Sequence, residues 1–135
     1  MTQLTGQPTT DDDVVHLTVP ADGGYLSVLR TATAGLAARL QFALDEIEDL
    51  RIAVDEACAM LLAIAARGAE LDCRFSVHED ALTVEVTVPT GPGAKLPGES
   101  SFAWKVLTAL TTSATASAVD GRATIALLTR RASGW

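Results

Sequence analysis

Between Asp49 and Leu62 the chain reads D-L-R-I-A-V-D-E-A-C-A-M-L-L. Residues four apart in a helix stand on one face, so Glu56 and Met60 are neighbours there. A carboxylate at such a position can take a proton from a hydroxyl or a water. Metal-assisted chemistry on the same face needs an oxygen ligand nearby. Met60 offers a thioether instead, which binds a hard cation such as Mg²⁺ poorly. By residue type alone, Glu56 is more often a surface or capping carboxylate than a base. The other reactive side chains are sparse. Cys58 and Cys73 fall in an apolar helix and an apolar strand, with no C-x-x-C pair and no His at ligand spacing, so no metal site is assigned. They read as two buried reduced thiols; a disulfide between them depends on their Cα separation. His16 and His78 have no nucleophile pattern around them and receive no role.

Periodicity supplies the elements that position these residues. Residues 1–13 are polar and end in three aspartates, which predicts a disordered tail. Val14–Val19 is β-rich and stops at Pro20. Asp22 is placed to cap a helix from Tyr25 to Leu40, and a second helix runs from Asp45 to about Arg67, stopped by Gly68. Leu71–Val77 and Ala81–Val88 alternate with period two around a Glu79-Asp80 turn, predicting a hairpin with one buried face. Pro89 to Ser100 is a Pro/Gly loop, Phe102–Leu110 a third helix. Thr115–Val119 and Ala123–Leu128 are closing strands around Asp120-Gly121. The domain spans 14–130, with 131–135 as a C-terminal tail. Strands with helices on one face give an α+β sandwich.

Composition narrows the function classes. The 135 residues make one domain, and the net charge of −7 disfavours direct nucleic-acid binding. No apolar run reaches the roughly 20 residues of a membrane span. The N-terminus lacks the basic and apolar regions of a signal peptide, so the cytoplasm is expected. Asp45, Glu46, Glu48, Asp49, Asp55 and Glu56 crowd the second helix; a solvated face with negative charge near the helix N-terminus accounts for most of them.

The stretch at 49–62 resembles the nucleotide-box helix of the GHKL ATPase superfamily, in the form carried by RsbW-type anti-sigma factors and serine-protein kinases. That family reads (I/V)-A-(V/I)-x-E-A-x-x-N-A. The resemblance extends over residues 14–130 and implies a Bergerat-type two-layer sandwich, a mixed β-sheet covered on one face by about three helices. It puts Glu56 at the general-base position and Met60 where an Asn holds Mg²⁺. The family's D-x-G-x-G box corresponds to Pro89-Thr90-Gly91-Pro92-Gly93, with Pro89 in place of the Asp that accepts the adenine amine. Proline has no side-chain acceptor. Losing such a hydrogen bond costs about 1.5–3 kcal/mol. The phosphate cradle falls at Gly98-Glu99-Ser100-Ser101, with one glycine left and Glu99 placing negative charge where phosphate would lie. Gly91, Gly93 and Gly98 are thus the candidate cofactor-binding residues, or simply loop residues. The resemblance implies weak or lost ATP binding, with Mg-ATP as cofactor only if the chain is an active serine-protein kinase. It also implies a sigma factor and a STAS-domain anti-anti-sigma protein as partners, and a homodimer. Arg30 aligns with the family's partner-binding Arg; as a residue it is equally a solvated Arg on an amphipathic helix. Trp104, in Ser101–Leu110, is core or interface.

Overall fold

Residues 13–132 are described by the computed structural model. Strand β1 (Asp13–Pro20) leads through a single 3₁₀ turn (Gly23–Tyr25) into α1 (Leu26–Arg39) and α2 (Leu44–Leu62). Then come β2 (Glu70–Val77), β3 (Ala81–Pro89), α3 (Phe102–Leu110), β4 (Ser113–Val119) and β5 (Arg122–Arg130). Most of the expected tails, 1–12 and 133–135, lie outside the described residues. Asp13 joins β1, opposite Val77.

The helix ends follow local chemistry. Asp22 takes the Gly24 N–H at 2.8 Å and so opens the 3₁₀ turn. At the start of α2, Glu46 reaches back to the Ala43 N–H at 2.7 Å, satisfying a donor the helix cannot. Glu46 and Asp45 also place negative charge at the positive end of the helix dipole. The expected helix to Arg67 stops at Leu62 instead. The next backbone groups are claimed by β3 and its loop: Ala66 N–H donates to Pro89 O at 2.9 Å, and Gly91 N–H to Ile64 O at 3.2 Å. Gly68 then turns the chain at φ 71°, as its position predicted. Asp120 and Gly121, at φ 53° and 75°, form the tight β4–β5 turn that Asp-Gly favours.

The two-layer α+β sandwich is as expected, but its sheet is not mixed. In the order β1-β2-β3-β5-β4, every pairing is antiparallel. Two helices between β1 and β2 return the chain to the end it left, so β2 comes back antiparallel. The single helix α3 does set β3 and β4 in the same direction, but β5 inserts between them. The inward rows Leu71, Cys73 and Phe75 of β2, Leu82, Val84, Val86 and Val88 of β3, and Ala123, Ile125 and Leu127 of β5 are buried. Helix α2 lies between α1 and α3 and packs on β3 and β5. It buries Leu50, Ala53, Val54, Ala57, Cys58, Met60 and Leu61. Each large apolar side chain so enclosed contributes about 1.5–3 kcal/mol. The opposite face of the sheet is polar, with Thr18 donating to Asp72 at 2.8 Å and Thr87 bonded to Thr124 at 2.8 Å.

Candidate nucleotide and partner site

The central question for α2 is which of its side chains can meet a ligand. Glu56 is half-buried at the margin of the helix and makes no hydrogen bond or ion pair among the described residues. Met60, one turn later, is only 4% exposed and belongs to the main core cluster with Leu107 and Val88. The helix therefore presents a carboxylate at its rim and a hydrocarbon-like side chain beneath it. No group of three or more metal-ligating side chains occurs among the described residues.

The three candidate glycines fall in two neighbouring depressions that share Ala118. Gly91 and Gly93 line a shallow cleft with Thr90, Asp120, Gly121 and Arg122. Gly98 lines a different groove with Leu96, Pro97, Trp104 and β4. The Gly91 N–H donates to Ile64 O at 3.2 Å and is not free for a ligand. Pro89 is the last residue of β3, opposite Arg122, and its carbonyl is bonded to Ala66. The start of α3 is closed by its own chain. Ser101 Oγ accepts the Trp104 N–H at 3.3 Å, and Ser101 N–H donates to Gly98 O at 2.9 Å. Ser101, and not Glu99, thus occupies the anion-attracting end of the helix. At these positions Met60 carries no oxygen ligand, Pro89 no side-chain acceptor, and the Gly91 amide is already bonded to Ile64 O.

Trp104 is core, 6% exposed, and its indole N–H donates to Pro97 O at 2.7 Å. That bond satisfies the ring's one polar atom and ties the loop to α3. His78 Nε2 lies 3.0 Å from Thr83 Oγ1. His16 stands on the open sheet face beside Arg74 and Glu85. Cys58 and Cys73 are free and 1% and 2% exposed. Burial pushes both thiols up to about 12, with Cys73 and Asp55 adding to the shift at Cys58 and Asp72 to that at Cys73. They are apolar filling in the core between the helices and the sheet and poor nucleophiles at neutral pH.

Arg30 has a partner that sequence reasoning missed. Its Nε donates to Asp55 Oδ1 at 2.8 Å, with the two side chains 37% and 41% exposed. The pair bridges α1 and α2 one residue before Glu56. Nothing in the spacing of 30 and 55 announces this contact, because it depends on how the two helices pack. The bond uses only Nε, so the terminal nitrogens of Arg30 make no hydrogen bond among the described residues. They border a shallow groove with Ser27, Thr31, Ala34, Gly35 and Arg51. Arg51 is itself held by Glu48 at 2.7 Å. Small side chains between two guanidinium groups let a partner backbone come close and offer donors to its carboxylates.

The comparisons with known proteins bear on this arrangement. No family model matches the chain. The serine-protein kinase RsbW of Bacillus subtilis is 40% identical over 77 residues, 55% of this chain and 48% of that protein. Its counterpart from Bacillus pumilus is 37% identical over 79 residues, 55% of this chain and 49% of that one. The chain is RsbW-like. It spans about half the length of the curated relatives it matches. A solved structure of the RsbU and RsbW domains of Rv1364c from Mycobacterium tuberculosis superposes with a TM-score of 0.68, covering 88% of this chain and 32% of that one. At 15% identity it establishes the shared fold.

Proposed function

We propose that this RsbW-like chain is an anti-sigma factor that sequesters an alternative sigma factor and is released by a STAS-domain anti-anti-sigma protein, with ATP binding weak or lost. The observation that carries the loss of nucleotide is the buried Met60 beneath Glu56. Pro89 and the committed Gly91 amide support it from the other side of the site. Binding then falls to the α1–α2 surface. Arg30, steadied by Asp55 yet half-exposed, presents free terminal nitrogens to a partner carboxylate. In this reading the chain works in the cytoplasm as a homodimer by covering its partner, and Glu56 is an inherited position without a reaction. No helix among the described residues is long and apolar enough to cross a membrane, which is compatible with that location.

A second reading is favoured by two observations: the unpaired Glu56 at the rim of α2, and the kinase name of the relatives. In it the chain is an active serine-protein kinase that phosphorylates an anti-anti-sigma protein using Mg-ATP. Isothermal titration with Mg-ATP, paired with a phosphotransfer assay on a STAS-domain protein, separates the two. The anti-sigma reading expects no saturable heat in the micromolar range and no phosphoserine. Micromolar binding together with partner phosphorylation overturns it.

A further inference from the structure

β4 is the outer strand on one side of the sheet, paired only with β5. In an antiparallel pair, alternate residues turn their N–H and C=O groups away from the neighbour, so β4 offers a row of these groups to the outside. Edge strands are ordinarily guarded by charge, proline, a bulge or brevity. Ser113–Val119 has none of these: seven residues, S-A-T-A-S-A-V, in unbroken register with β5 and exposed at all but Ala114.

A second, independent feature is the order of those residues. Ser113–Ser117 reads the same in both directions about Thr115. Two copies running antiparallel with Thr115 opposite Thr115 set Ala114 opposite Ala116 and Ser113 opposite Ser117. Residues opposite one another share a face. The hydroxyls of Ser113, Thr115 and Ser117 therefore meet on the open face, and the alanine methyl groups meet on the helix side. On that helix side a groove lined by Pro97, Gly98, Glu99 and Trp104 keeps Ala114–Ala118 uncovered. Phe102 on the helix layer and Val119 on the open face, 80% and 63% exposed, flank the strand on its two sides.

We propose that β4 is a self-association edge: two copies pair antiparallel through Ser113–Ser117 about Thr115, joining two five-stranded sheets into one. This rests on the homodimer reading given above and adds its surface. Strand pairing of this length buries less than the roughly 1,200–2,000 Å² of a stable interface. Phe102 and Val119 supply further apolar area, and the association is concentration-dependent. A two-fold axis through Thr115 is isologous and closes at the dimer, so an unguarded edge is consumed without fibre growth.

The test uses a cysteine on the axis. Opposed residues of an antiparallel pair have Cα atoms about 4.5–5.5 Å apart, inside the disulfide range of about 4.4–6.8 Å. Thr115→Cys, oxidised mildly in the full chain, is expected to give a covalent dimer on a non-reducing gel. Ser117→Cys is the control, since its counterpart in the other copy lies about 13 Å away, four residues at roughly 3.3 Å each. Cys58 and Cys73, being buried, give no background. Thr115→Lys, which sets like charges opposite, is expected to sediment as a monomer with unchanged circular dichroism. A dimer that survives Thr115→Lys, with Thr115→Cys linking no better than Ser117→Cys, overturns the edge and leaves the homodimer standing. A wild-type chain that sediments as a monomer at its highest soluble concentration overturns both.

Discussion

Replacing Met60 by Asn tests whether the altered box is now part of the core. The change puts back the residue that RsbW-type helices carry, so a chain that is merely one ligand short of Mg²⁺ would regain nucleotide. The geometry argues otherwise. Met60 is 4% exposed, and truncating a buried Met costs about 2–5 kcal/mol. A carboxamide buried there without partners costs about 1–3 kcal/mol on mutational scales. Asn keeps part of the volume, so the two effects overlap, and about 3–4 kcal/mol of destabilisation is expected. At roughly 3 °C of melting temperature per kcal/mol for a domain of this size, that is a drop of about 10 °C. Met60→Leu conserves volume and should cost under about 1.5 kcal/mol. Urea and thermal unfolding of the three proteins, followed by titration with Mg-ATP, give the answer. If Met60→Asn unfolds within about 1 kcal/mol of the wild type, or gains micromolar Mg-ATP affinity, position 60 is solvent-facing and the reasoning fails.

The two cysteines predict a pH dependence. Their folded thiols stand at about 12 against an ordinary 9.0, so the folded state favours the protonated form. The stability this contributes is complete below the unfolded value and is lost as pH rises from about 9 towards 12. Unfolding curves of the wild type should weaken across that window more steeply than those of a Cys58→Ala, Cys73→Ala protein, and equal slopes would contradict the assignment. Thr129 Oγ1 is buried without a hydrogen-bond partner, so Thr129→Val, of similar shape, should raise stability by about 1 kcal/mol in urea denaturation. Arg30→Ala removes a half-exposed ion pair worth at most about 1 kcal/mol, so folding should be nearly unchanged. Binding to a sigma factor or an anti-anti-sigma protein, measured by calorimetry, should fall by about ten-fold or more, the loss expected at an interface anchor. An unaltered affinity would move the partner surface away from the α1–α2 groove.

Much of the architecture was legible because it rests on local patterns. Period-two alternation placed β2 and β3, Asp120-Gly121 marked its hairpin, and the apolar stripe of α2 named Leu50, Val54, Cys58 and Leu61 as core. The end of α2 was not legible. Residues 63–67 have helical composition, and they leave the helix because Pro89 and Gly91 bind their backbone. The direction of the strands escaped for a similar reason: the element order does not say that β5 will insert between β3 and β4.

The sequence by itself determined the RsbW-like helix and the absence of an oxygen ligand at Met60 and of an adenine acceptor at Pro89, since these follow from side-chain chemistry. It also singled out Arg30 and placed Thr115 at the start of a closing strand, without giving either a setting. Only tertiary packing decided that Met60 is enclosed, that the Gly91 amide is consumed by Ile64, that Arg30 is braced by Asp55, and that Thr115 lies on an open edge. The physical reason is range. Residue type and short periodicity act over one or two turns of chain, whereas burial, ion pairing and exposed edges are set by segments tens of residues apart.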